Sequence, residues 1–192
     1  MAAIPFYDTL HGFWAGRGTG TASLKAKMIQ QPKSTREVVL FEVFLDLRKV
    51  YNTLDQERAL KLLAKYNVGP RMVRLLRTYW DQLNMVAKAG RYFGRLFKGY
   101  QGVTQGDPLY LIMFIVVVDA VICHWVAVVM TIEAGTGGLG LNIIYLADYF
   151  YAKDGLVVST QPERLQRAFD VLTGLFDWVG LQTNAAKTVG MT

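Results

Sequence analysis

The stretch 109–130 constrains this chain most, because it is almost wholly apolar and is interrupted only by Asp119 and His124. A run of that length is close to the ~20 residues of a membrane-crossing helix; the other way to bury it is as a helix enclosed in a protein core. The two polar residues near its middle weigh against lipid, since a carboxylate at bilayer depth costs roughly 2.5–3.5 kcal/mol even on insertion scales. The spacing therefore predicts a buried core helix, with a membrane or protein-partner contact through 109–130 as the alternative. At 192 residues the chain can enclose such a helix in one unit but not comfortably in two. An apolar fraction of 52% against 19% charged residues excludes disorder.

Around that helix, local patterns predict alternating short elements. Gly12, Gly16, Gly18 and Gly20 punctuate a loop containing Arg17, and a helix over 21–31 follows, stopped by Pro32. The Val-, Phe- and Leu-rich segment 38–47 reads as a buried strand with Asp46 near its end. In 56–66, Ala59, Leu60, Leu62, Leu63 and Tyr66 share one helical side, and Asn67 with Gly69 ends it. Pro70 opens a helix whose core stripe is Met72, Val73, Leu76, Tyr79, Trp80 and Leu83, with Arg71, Arg74 and Arg77 as a basic flank. Segment 84–100 is a hairpin, 102–108 a loop, and 143–159 a second hairpin turning at Ala152-Lys153-Asp154-Gly155. Thr160 and Glu163 form a capping-box pattern, before a helix burying Leu165, Phe169, Leu172, Phe176 and Val179 up to Gly180.

Residues 1–100 carry 17 basic and 7 acidic side chains, and residues 101–192 carry 4 and 8. A basic first half fits a surface that neutralises phosphates, or a merely solvated basic face. The single Cys123 rules out an internal disulfide and a Cys-rich zinc site, consistent with a reducing compartment, and the first ten residues lack the pattern of a secretory leader.

Three stretches carry chemistry: Phe44-Leu45-Asp46-Leu47-Arg48-Lys49-Val50-Tyr51, Gly102-Val103-Thr104-Gln105-Gly106-Asp107-Pro108-Leu109, and Phe150-Tyr151-Ala152-Lys153-Asp154-Gly155. In order and spacing they resemble motifs A, B and C of reverse transcriptases, closest to the non-LTR retrotransposon group. His11-Gly12-Phe13 with Gly16-Arg17-Gly18 is similar to the family's fingers motif, and Gly180-Leu181 with Asn184, Lys187 and Thr188 to its motif D. The resemblance runs over nearly the whole chain.

It implies an α+β polymerase palm, an antiparallel sheet packed on helices, with 1–37 as a fingers remnant, 38–192 as palm with inserted fingers elements, and no thumb. It also implies RNA-templated DNA synthesis by two-metal nucleotidyl transfer, with an RNA template, a DNA primer and Mg²⁺ held by carboxylates. On that basis Asp46 and Asp154 are metal ligands and Tyr51 is a steric gate, or else a core aromatic. Gln105 and Gly106 lie against the nucleotide. Lys187 is a general acid toward pyrophosphate, or else a plain surface lysine. Arg17, Arg71, Arg74 and Arg77 are candidate nucleic-acid contacts. A nuclear or cytoplasmic location follows if the chain is retrotransposon-like, and a membrane association if 109–130 is recruited to one.

The chain departs from the family where motif C carries two adjacent aspartates, because the first is Lys153. An ammonium cannot coordinate Mg²⁺, so activity is expected to be lost or strongly impaired. Asn52 stands in place of an acid in motif A, and Tyr110-Leu111 in place of Ser-Pro after motif B. A pseudoenzyme serving as a nucleic-acid-binding or structural subunit is the alternative.

Overall fold

The computed structural model describes residues 10–11, 16–35, 39–99, 101–103, 107–135, 147–151 and 153–191. Its frame is an antiparallel sheet centred on β1 (Phe41–Arg48). On one side β1 pairs with β5 (Asp154–Ser159), which pairs in turn with β4 (Ala147–Tyr151). On its other side β1 pairs with two short strands, β6 (Gln182–Thr183) and β7 (Val189–Met191).

Alternation along β1 sends Leu45 and Leu47 to one face, where α5 (Pro108–Gly135), α6 (Pro162–Trp178) and α3 (Gln56–Lys65) build the main core. Leu156 and Val158 of β5 turn to the opposite face, where they pack with Ala22 of α1 (Thr19–Thr35) and Leu40. Asp46 and Asp154 lie on that second, less covered face, in register across the strand pair.

Helix α5 is the enclosed element anticipated from its composition. The segment Leu109–Val129 is long and apolar enough to cross a membrane, yet most of it is buried inside the molecule. Trp125 is fully enclosed, and its indole Nε1 donates to the Ala168 carbonyl of α6 at 2.6 Å. Asp119, also fully buried, accepts a hydrogen bond from the Tyr66 hydroxyl at 2.6 Å. A charged group in a core needs such a partner, and the sequence supplies it from the end of α3.

Several boundaries differ from the sequence reading. Helix α1 continues through Pro32 to Thr35, because a proline in the last turn forfeits one hydrogen bond without preventing three more helical residues. In α4 (Pro70–Gln82) only Leu76 and Trp80 are buried, while Met72 and Tyr79 are exposed, since few elements cover this helix. The capping box does not form: Gln161 is the N-cap of α6, without a side-chain cap, and its amide donates to Ser159 Oγ at 3.1 Å. Between α4 and α5 stands a separate two-stranded sheet of β2 (Asn84–Ala89) and β3 (Tyr92–Lys98), turning at Gly90 with φ 61°.

Candidate active site

The end of β1 carries Asp46, and the β4–β5 turn delivers Lys153 and Asp154 beside it. The register pairs Asp46 with Asp154, and the Leu47 amide donates to the Lys153 carbonyl at 3.0 Å. Lys153 Nζ then lies 2.7 Å from Asp46 Oδ1 and 4.0 Å from Asp154 Oδ1. From the other side of β1, Asn184 holds the same aspartate twice, through its amide to the Asp46 carbonyl at 2.8 Å and through Nδ2 to Oδ2 at 2.9 Å. Asn184 opens the turn between β6 and β7, and the amides of Lys187 and Thr188 both close onto its carbonyl at 2.9 Å.

These contacts set the charge state of the site. Burial pushes the Asp46 carboxyl up, but hydrogen bonds from Lys153 and Asn184 and the charge of Lys153 outweigh it and hold the carboxyl below its ordinary value. The hydrogen bond to Asp46 raises the Lys153 ammonium above the usual lysine value, against a weaker opposing effect of burial. The Asp154 carboxyl is raised, first by partial burial away from water, with Lys153 opposing and its hydrogen bond to Asp46 adding to the rise. With 61% of its side chain exposed, Asp154 remains reachable from solvent. The charge of Lys187 also acts on Asp154, so the β6–β7 turn brings that exposed lysine to the same face.

Tyr51, on the short helix α2 (Val50–Thr53), is half-buried, and its ring lies against Tyr110 of α5 at a centroid distance of 4.3 Å, tilted by 36°. Tyr110 stacks in turn on Phe114, with centroids 5.7 Å apart. Burial raises the Tyr110 hydroxyl, with the Tyr51 hydroxyl adding, and the Tyr110 hydroxyl has no hydrogen-bond partner among the described residues. The loop before α5 is pinned to this helix, since the Val103 amide donates to the Tyr51 carbonyl at 2.7 Å and the Gly102 amide to the Leu54 carbonyl at 2.9 Å. Gly102 has φ 75°, and a Cβ there would sit 2.7 Å from Asn52 Cα. Asp107 ties the far end of the loop, accepting from the Tyr79 hydroxyl at 2.8 Å and from the Leu109 amide at 2.9 Å.

Asp46, Lys153 and Asp154 meet directly, and Tyr51 and Lys187 stand close enough for their charge to act on Lys153 and Asp154, whereas Gln105 and Gly106 lie outside the described residues. Arg17 is half-buried, and its guanidinium donates to the Leu10 carbonyl at 2.8 Å, next to the bridge joining Leu10 to Phe150. Arg71, Arg74 and Arg77 are exposed on α4, with Arg77 paired to Glu57. Sequence reasoning did not assign Asn184 to the site, although it stands in the motif D stretch, nor did it place Tyr110 on Tyr51.

A divalent ion needs several oxygen donors turned toward it. Here one oxygen of Asp46 is engaged by Lys153 and the other by Asn184, and no cluster of three metal-ligating side chains exists among the described residues. As placed, the described residues do not fit a magnesium site. The ammonium of Lys153 lies within 4.0 Å of both acids.

An antiparallel sheet backed by helices, with paired acids at the strand ends on its open face, has the architecture of a polymerase palm. This chain belongs to the reverse transcriptase family: the family model described as reverse transcriptase (RNA-dependent DNA polymerase) matches residues 5–192. No curated protein matches the chain. Among solved structures it is similar to telomerase from Candida tropicalis in complex with a fragment of telomeric RNA, at 13% identity, 95% of this chain and a TM-score of 0.66. Telomerase from Candida albicans, likewise with a telomeric RNA fragment, matches at 15% identity, 95% coverage and a TM-score of 0.62. The chain spans 30% and 31% of those two chains.

Proposed function

We propose that this chain is a reverse transcriptase palm, of the non-LTR retrotransposon type, that binds nucleic acid without carrying out metal-dependent synthesis. The observation that carries this reading is the 2.7 Å contact of Lys153 Nζ with Asp46 Oδ1. A two-metal mechanism needs dications ~3.5–4 Å apart, one activating the attacking hydroxyl and one steadying the triphosphate. An internal monocation neutralises the acids but supplies neither Lewis acidity nor an open coordination position. Motif C is degenerate on this reading, and Lys153 has converted a catalytic site into an ion pair.

The second departure falls on the same site. Where the family has a small serine, Tyr110 covers the ring of the gate residue Tyr51, which narrows the space for a nucleotide sugar. Loss of the metal ligand and closure of the sugar pocket act together, so a single reversion restores little. The test is primer extension on an RNA template with dNTPs and Mg²⁺, comparing the chain with Lys153→Asp, with Lys153→Asp/Tyr110→Ser, and with both plus Asp46→Ala. We expect no extension by the native chain, extension by the double variant, and its loss with Asp46→Ala. Metal-dependent extension by the unmodified chain would sink the reading.

A further inference from the structure

Helix α5 is incompletely covered by the core it anchors. Most of its apolar stretch is buried, and part of what stays open faces a groove between α3 and α6 of about 630 Å³. Small side chains on α5 leave that room. Ala120, Cys123 and Ala127 fall on one helical side, three and four residues apart, and do not bridge the helices to either side. Leu62 of α3 and Leu175 and Trp178 of α6 form the walls. The three helices pack on the sheet face that carries Leu45 and Leu47, so the groove lies across the sheet from Asp46 and Asp154.

The polar groups of the groove decide what it can hold. Lys65, at the end of α3, and His124, on α5, both line it and are exposed, and neither makes a hydrogen bond or ion pair with a described residue. No acid lines it among the described residues. Asp119, in the same stretch of α5, is fully buried and accepts the Tyr66 hydroxyl at 2.6 Å. A volume of this size suits one small molecule, and apolar walls with a few polar groups are the usual composition of such a site. The charge selects among small molecules. A cation would be repelled by Lys65, and a ligand carrying several phosphates would find one ammonium and gain nothing from the walls. An anion with an apolar body matches both parts.

We propose that this groove binds a monocarboxylic acid with an aliphatic chain. The carboxylate pairs with the Lys65 ammonium and accepts an N–H from His124, while the chain lies over Ala120 and Ala127 against Leu62 and Leu175. Binding here needs neither a metal nor catalysis at the acids across the sheet.

The experiment is calorimetric titration of the full chain with decanoate below its micelle concentration, alongside the rate at which iodoacetamide alkylates Cys123. That residue is the single cysteine of the chain, is exposed and lines the groove, so slower alkylation reports occupancy at the site itself. Decanoate should bind one-to-one and protect Cys123 with the same affinity. Lys65→Met should weaken decanoate by about fivefold, the upper end for an ion pair at an exposed lysine, and should leave decanol binding unchanged. Shortening the acid should weaken it by up to about fourfold for each methylene removed. Ala127→Trp fills the groove from an exposed position and should abolish both the heat and the protection. Melts of the two variants without ligand should match the native chain, since neither side chain supports the core.

Absence of binding heat with Cys123 unprotected would overturn the site. So would an unchanged decanoate affinity in Lys65→Met, or equal protection by decyltrimethylammonium, because either removes the role of charge. Protection of Cys123 by anionic vesicles but not by dissolved decanoate would assign the groove to a membrane surface and overturn the soluble acid.

Discussion

Replacing Lys153 by aspartate should turn a protein indifferent to magnesium into one stabilised by it. The substitution removes the 2.7 Å ion pair to Asp46 and sets a third carboxylate beside Asp46 and Asp154. Lys153 is 46% exposed, so solvent screening limits the lost pair to about 1 kcal/mol. Like charges about 4 Å apart near a protein surface repel by up to about 4 kcal/mol, less where one of them takes up a proton. A net cost of about 2–4 kcal/mol without metal follows from these terms. At about 2–4 °C per kcal/mol for a chain of this size, that lowers Tm by roughly 5–15 °C. Magnesium at 100 times its Kd would return about 2.7 kcal/mol, or roughly 5–10 °C. Thermal melting across a MgCl₂ titration reads both quantities, and Asp46→Ala added to Lys153→Asp should abolish the metal response. If the native chain gains as much from magnesium as Lys153→Asp does, or if the folded variant gains nothing, the assignment of Lys153 as the internal counterion is wrong.

Four further outcomes follow from the same geometry. Lys153→Met leaves Asp46 buried with only its hydrogen bonds to Asn184 and Asp154 to hold the carboxyl down, so the carboxyl should rise. Because Asp46 is held below its ordinary 3.8 in the native fold, its contribution is present above that pH and lost as pH falls through the folded value. The stability gap between native and Lys153→Met should therefore be open at neutral pH and close below about pH 4, read by melts across pH. Gly102→Ala should cost about 1–2 kcal/mol from its left-handed backbone alone and more from the crowding against Asn52, measured by urea denaturation. Tyr66→Phe strips a hydrogen bond from the buried Asp119 carboxylate and should cost about 1.5–3 kcal/mol, with an unchanged Tm counting against that role. Tyr110→Phe removes a buried hydroxyl that has no partner among the described residues, so it should be neutral or stabilising by up to about 1–2 kcal/mol in the same melts.

Much of this was legible in the residues themselves. The apolar stretch 109–130 pointed to a core helix rather than a membrane or partner contact, and most of α5 is buried inside the molecule. Strand β1 and the hairpin carrying Lys153 and Asp154 were visible from β-prone runs bounded by turn residues, and the order of the motifs named the family. Local signals failed where a neighbour was missing or a competing contact stood nearby. The stripe on α4 was only half buried for want of elements to cover it, and the predicted cap of α6 yielded to Gln161 and Ser159.

The sequence alone carried the resemblance that sets Lys153 against an expected acid and Tyr110 against an expected serine. Only the tertiary structure decided what those two side chains touch. Lys153 and Asp46 are 107 residues apart and Asn184 is 138 from Asp46, so no local pattern could reveal that both grip one carboxylate. The register of β1 against β5 brings the first pair together, and the turn between β6 and β7 brings the second. Sheet pairing joins distant segments through backbone hydrogen bonds that every residue can make, so the side chains it sets face to face emerge only when the register is fixed.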